Sequence, residues 1–200
     1  DVSEKLDYVP GVFSVHRHVR GKWACACCQT LIQAPVEPHV IDKGIPTTGL
    51  LAQVLVNKFA DHLPLYRQEA IFGRSGVSIP RSTLAQWVGS CGVELQPLVD
   101  ALKREILTRS VLHADETPVQ MLKPGNGKTH RAYLWAYAAG AHEDIKAVVY
   151  DFCESRAGAN AKAFLADWRG ALVVDDFSGY KQLMNGGNDK IMEVGCWAHA

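Results

Sequence analysis

The sequence has no apolar run approaching the about 20 residues of a membrane-spanning helix, which argues against an integral membrane protein. No basic-then-apolar leader is visible either. The chain opens on Asp1 without an initiator methionine, as expected of a processed product or an internal piece. It also lacks any excess of one charge. Lys+Arg and Asp+Glu number 21 each, so net charge gives no support for a nucleic-acid partner, and a slight acid surplus in residues 111–200 decides nothing. A secreted disulfide framework is absent too, since three of the 6 cysteines crowd together as Cys25, Cys27 and Cys28. A cytoplasmic protein is the expectation. What is present is an ordinary globular composition, 48% hydrophobic and 21% charged, in 200 residues that suffice for one large or two small domains.

Two stretches organise the rest. Val111 and Leu112 lead through His113 and Ala114 to Asp115 and Glu116, and Pro118 is expected to stop regular pairing. Residues 171–176 repeat the design, an apolar run that ends on Asp175 and Asp176. Continuous apolar runs of this length read as strands buried on both faces of a sheet. Side chains alternate along a strand, so each acidic pair sends one carboxylate to each side. An acid at the end of a buried strand is costly unless neutralised, and a divalent cation is a common partner. Two such strands side by side would bring Asp115 and Asp175 to the same cations. Glu116 and Asp176, on the opposite pleat, read as solvated or as outer support.

Before these strands the pattern differs. Residues 13–19 alternate apolar and polar like a half-buried strand, with a basic face that continues through Arg17, Arg20 and Lys22. Cys25 and Cys28 stand in CxxC spacing, which on a tight turn lets both thiolates reach one zinc ion; a pair of reduced cysteines without metal is the competing reading. Residues 36–46 read as an extended linker. Thr47 or Thr48 can cap a helix with Leu50, Leu51, Val54, Leu55, Phe59 and Leu63 on one face. A second helix is expected over 64–72, a third over 78–88 that Gly89 stops, and a fourth over 94–108 burying Leu98, Leu102 and Ile106. Helix, short glycine turn, then a helix opening with Arg81, Ser82 and Thr83 is a helix-turn-helix layout, in which those residues and Gln86 would meet DNA; a plain helical hairpin has the same pattern.

After residue 110 strands and helices alternate. Three antiparallel strands, a crossover helix at 157–168, and a fourth strand able to pair beside the first make a ribonuclease-H-like order. The expected class is α+β: a small zinc-finger-like unit (1–35), a linker (36–46), a helical, helix-turn-helix-like segment (47–109) and a truncated ribonuclease-H-like core (110–200).

Several strings carry a more specific likeness. His113 through Pro118, Val174-Asp175 followed by Gly179-Tyr180, and the closing Cys196 to Ala200 resemble the bacterial DDE transposases of insertion-sequence family sixty-six. Tyr8-Val9-Pro10, Arg17-His18-Val19, Cys25 to Cys28 and Gln33-Ala34-Pro35 resemble that family's zinc-finger domain, and Leu65-Tyr66-Arg67 with Ser82-Thr83-Leu84 its central helices. The resemblance implies metal-dependent cleavage and joining of DNA with two Mg²⁺ or Mn²⁺ ions, Asp115 and Asp175 matching the first two catalytic carboxylates. It implies Zn²⁺ at the finger, DNA ends and target DNA as partners, a homo-oligomeric synaptic complex, and accessory proteins of the same element. It also implies a third carboxylate beyond Ala200 and a first cysteine pair before Asp1, so these 200 residues alone are expected not to transpose DNA. Two other readings stay open, a catalytically silent DNA-binding or interaction remnant and a small metallohydrolase using His113, Asp115 and Asp175.

Overall fold

A computed structural model describes residues 11–42, 44–184 and 190–199, without the side chains of Gln182, Met184 and His199. Tyr8, Val9, Pro10 and Ala200, quoted above, lie outside the described residues. The chain divides into two compact units, Asp1–Leu95 and Gln96–Ala200. Among the described residues no helix is long and apolar enough to cross a membrane.

In the first unit, β1 (Lys22–Ala24) and β2 (Leu31–Gln33) form a small antiparallel hairpin around the cysteines. Residues 13–19, expected as a strand, form none: among the described residues no second strand pairs with them, and Phe13 instead packs edge-on against Phe72, centroids 5.2 Å apart. Helix α1 (Thr48–Phe59) starts where Thr47 Oγ1 accepts the Leu50 N–H. Only part of its expected face is inward; Leu51 and Val54 are buried, whereas Phe59 is exposed. Helix α2 (Leu65–Arg74) begins directly after Pro64. Leu51, Val54, Phe72, Ile79, Leu84, Trp87 and Cys91 form this unit's core. Gln68 is fully buried among them, its amide donating to the carbonyls of Val54 and Leu63.

The third and fourth expected helices are one, α3 (Arg81–Ile106), 26 residues long and carrying Pro97 inside. Gly89 does not stop it, since neither Gly89 nor Gly92 adopts the positive φ of a helix terminator. An interior glycine costs only about 1 kcal/mol relative to alanine. That is less than Leu84, Trp87 and Cys91 gain by facing one core at helical spacing. At the far end Ile106 is buried and Leu102 partly so, but Leu98, expected inward, is mostly exposed.

The second unit is built on a five-stranded sheet in the order β5-β4-β3-β6-β7. Strands β3 (Val111–Met121), β4 (His130–Ala139) and β5 (Val148–Cys153) run as an antiparallel meander, and β6 (Gly170–Val174) and β7 (Ile191–Gly195) join parallel on the other side of β3. This is the ribonuclease-H-like order, with the first and fourth strands of the sheet adjacent. Pro118 does not end β3, which pairs with β4 as far as Met121. Pairing with β6 ends at His113, so at Pro118 only one side of the strand is paired and the missing N–H is tolerated there. The Leu122–Thr129 link turns through Gly125 and Gly127, both at positive φ.

One face of the sheet is covered. Leu112 and Ala114, Trp135 and Tyr137, Val149, Leu172 and Val174 pack with α4 (Gly158–Leu165), Trp168 and α5 (Ser178–Met184). Ala161, Phe164, Leu165 and Trp168 point inward as expected, and Tyr137 stacks flat on Phe164 at 3.7 Å. The Trp168 indole N–H donates to the Arg109 carbonyl, tying the start of β3 to the entry of β6.

Candidate functional site

Register decides what the two acidic strands bring together. The parallel ladder of β3 and β6 pairs Val111 with Ala171, Leu112 with Leu172 and His113 with Val173. Asp115 and Asp175 each stand two residues beyond that last rung, Asp115 within β3 where its other neighbour is β4, and Asp175 directly after the end of β6. Asp115 is exposed and Asp175 half-buried. Each commits one oxygen to the backbone: Asp115 Oδ1 accepts from the Glu116 N–H at 2.8 Å, and Asp175 Oδ1 from the Phe177 N–H at 3.1 Å. The other oxygen of each makes no hydrogen bond among the described residues, which suits a hard cation that takes oxygen ligands and keeps several waters. Among the described residues no group of three or more His, Cys, Asp or Glu could hold a metal ion. Asp176, Glu193, Cys196 and Trp197 line a shallow cleft beside Asp175, and Asp176 pairs with Lys181 at 2.5 Å.

Glu116 stands on the opposite pleat from Asp115, as expected, but buried rather than solvated. It is the inward member of its pair, with a side chain only 1% exposed. Oε1 accepts from Arg156 Nε at 2.7 Å and Nη2 at 2.5 Å, and Oε2 accepts from the Tyr180 hydroxyl at 2.7 Å. A buried carboxylate without partners would be strongly destabilising, and here both oxygens are satisfied. Burial, and after it the Glu116 hydrogen bond, pushes the Tyr180 hydroxyl far above its usual range. Tyr180 is marked in the sequence only as part of the Gly179-Tyr180 string, and Arg156 not at all. One signal was there for Glu116, which has the parity of the apolar residues Leu112 and Ala114 along β3.

At the N-terminal hairpin the Cys25 N–H donates to the Thr30 carbonyl and the Gln29 N–H returns to the Cys25 carbonyl, closing a tight turn around the CxxC. Cys28 Sγ lies 3.1 Å from Thr30 Oγ1. Hydrogen bonds from the Thr30 side chain and backbone, then from the Cys25 thiol, hold the Cys28 thiol down at about 7. A thiol with that acidity supplies the thiolate that zinc requires. Arg17, Arg20 and Lys22 are exposed, with the Arg20 guanidinium donating to the Ala34 carbonyl at 2.7 Å. On the first turns of α3, Arg81, Ser82 and Gln86 are exposed and Thr83 is half-buried. The Arg81 backbone N–H donates to Glu69 Oε1, so an acid already occupies part of that helix end.

A model of the transposase IS66 family matches residues 43–200, and a model of the zinc-finger binding domain of transposase IS66 matches residues 1–29. The chain belongs to the IS66 transposase family. Among curated relatives, the uncharacterized protein y4qI of Sinorhizobium fredii (strain NBRC 101917 / NGR234) is 42% identical over 210 residues, covering 100% of this chain and 39% of the relative. The uncharacterized protein y4jD of the same strain is 39% identical over 186 residues, covering 90% of this chain and 36% of the relative. The chain thus spans less than two fifths of the length of the relatives it matches.

Proposed function

We propose that this chain is part of a transposase that cuts and joins DNA with Asp115 and Asp175 as ligands to Mg²⁺ or Mn²⁺. The reading rests on one observation above others, the two carboxylates each standing two residues past the last shared rung of adjacent parallel strands, each with an oxygen that makes no hydrogen bond among the described residues. When bound, divalent cations supply Lewis-acid stabilisation to the attacking and leaving oxygens of an in-line phosphoryl displacement. The chain's own contribution is to hold the two acids in register on the central strands of the sheet. Cys25 and Cys28 would provide two of the four ligands of a zinc ion at the N-terminal hairpin. Arg17, Arg20 and Lys22, together with Arg81, Ser82, Thr83 and Gln86, would contact DNA. In this reading 1–35 is the finger, 36–46 a linker, 47–109 a helical DNA-binding segment and 110–200 the start of the catalytic core. The whole protein works as a homo-oligomer on element ends and target DNA in the cytoplasm, with accessory proteins of the same element. These 200 residues do not transpose DNA alone, because two carboxylates of the expected three are an incomplete set.

The test is Mn²⁺ binding by the purified chain, followed through the electron-spin resonance of free Mn²⁺. Asp115→Asn and Asp175→Asn should each weaken binding by at least about tenfold, as loss of a ligand carboxylate requires, while Asp176→Asn leaves it unchanged. Binding indifferent to both substitutions, or no binding by the unsubstituted chain, rejects the metal reading and favours a silent remnant. Mg²⁺-dependent strand joining by this chain would reject the claim that it is inactive alone.

A further inference from the structure

The acidic motif divides its labour by pleat. Asp115 faces solvent, and Glu116 faces a buried cluster whose other members come from distant parts of the chain. We propose that Glu116, Arg156 and Tyr180 form a positioning clamp that fixes the Asp175 turn against the strand carrying Asp115. The proposal deepens the metal reading of the two aspartates and rests on it.

Two independent ties run from Glu116 to the turn after Asp175. The first passes through Arg156, whose guanidinium forks onto Glu116 Oε1 and lies over the Phe177 ring, 3.7 Å from its centroid. Phe177 is the residue whose backbone N–H holds Asp175 Oδ1. The second passes through Tyr180, whose hydroxyl holds Glu116 Oε2 and whose ring meets Phe177 and Trp135 edge-on at 5.9 and 5.7 Å. Gly179 shows how closely this turn is folded: a Cβ there would lie 2.2 Å from the Phe177 ring. The path from one aspartate to the other is therefore continuous, from the Asp115–Glu116 peptide through Arg156 and Phe177 to Asp175.

Glu116 is no metal ligand in this arrangement, because both of its oxygens are buried and engaged. Stability is a poor explanation for it as well, since buried ion pairs are often matched or exceeded by apolar residues of similar volume. A metal site gives such a network a function: partners behind the ligands set their positions, and losing one typically costs 10–100-fold in metal affinity.

The experiment uses the full chain and two conservative variants. Tyr180→Phe keeps the ring and its edge contacts but loses the hydroxyl, and Arg156→Lys keeps the charge but loses the fork and the stack. Each should stay folded by circular dichroism, bind Mn²⁺ about tenfold more weakly, and raise hydrogen exchange at the Phe177 amide by a similar factor. Tyr137→Phe, in the same core but off the path, should change neither measurement. The clamp is overturned if both variants bind Mn²⁺ like the unsubstituted chain while Asp115→Asn and Asp175→Asn lose binding. If the unsubstituted chain binds no Mn²⁺, the metal reading fails instead, and the Phe177 amide still decides the clamp: exchange unchanged in both variants overturns it.

Discussion

Tyr137 and Tyr180 offer a controlled comparison, because both are fully buried in one core and differ in what their hydroxyls touch. The Tyr180 hydroxyl donates to a buried carboxylate, whereas the Tyr137 hydroxyl has no partner among the described residues. A hydrogen bond to a charged group contributes about 1.5–3 kcal/mol, and its loss in Tyr180→Phe also strands Glu116 Oε2 in the core. We expect destabilisation of about 2 kcal/mol. For Tyr137→Phe the balance runs the other way. An unsatisfied buried hydroxyl costs about 1–3 kcal/mol, and removing it sacrifices only the contacts of one oxygen while the stack on Phe164 persists. The net expectation is no change to about 1 kcal/mol of stabilisation. In a unit of about 100 residues, 1 kcal/mol moves Tm by about 4–8 °C. Thermal unfolding followed by tryptophan fluorescence should therefore place Tyr180→Phe roughly 8–16 °C below the parent and Tyr137→Phe level with it or several degrees above. Equal losses in the two variants would refute the reasoning, since the hydroxyls would then matter only as filled volume.

Four further outcomes follow from the same structure. Burial, ahead of nearby negative charge, raises the hydroxyls of both tyrosines, so above pH 10 the unfolded chain releases protons that the folded chain retains. Stability should hold below about pH 10 and fall above it by up to about 1.4 kcal/mol per pH unit for each tyrosine; urea midpoints that stay flat from pH 9 to 11 would contradict this. Gly170 sits at φ 156°, and a Cβ there would lie 2.3 Å from the Ser110 carbonyl oxygen, so Gly170→Ala should cost at least about 2 kcal/mol in chemical denaturation. Gly73→Ala, in a helix with open space around it, should instead gain about 0.5–1 kcal/mol. Alkylation of Cys28 should be half-maximal near pH 7 and fall off below it as the thiolate is protonated; Thr30→Val should move that midpoint upward.

What the sequence conveys here follows the range of the forces involved. Strand order was legible because apolar runs ending on acid at Asp115 and Asp175 carry their own burial signal, and a crossover helix fixes how two parallel strands can pair. The single α3 was not, because Gly89 and Pro97 are local signals and the packing of Leu84, Trp87 and Ile106 that overrides them is not local. The alternation of residues 13–19 is a strand pattern that finds no second strand among the described residues, and a ladder needs both. The candidate site divides the same way. Its two aspartates each follow an apolar run that a local pattern displays, whereas the partners of Glu116 lie 40 and 64 residues away, beyond the reach of any local pattern. Parity along β3 nonetheless fixes the inward turn of Glu116, and the physics of a buried charge then demands a cation or donors nearby. Two acids adjacent in sequence therefore cannot have the same function on a half-covered sheet: the outward one is free to take a ligand, and the inward one must be bound by its own protein.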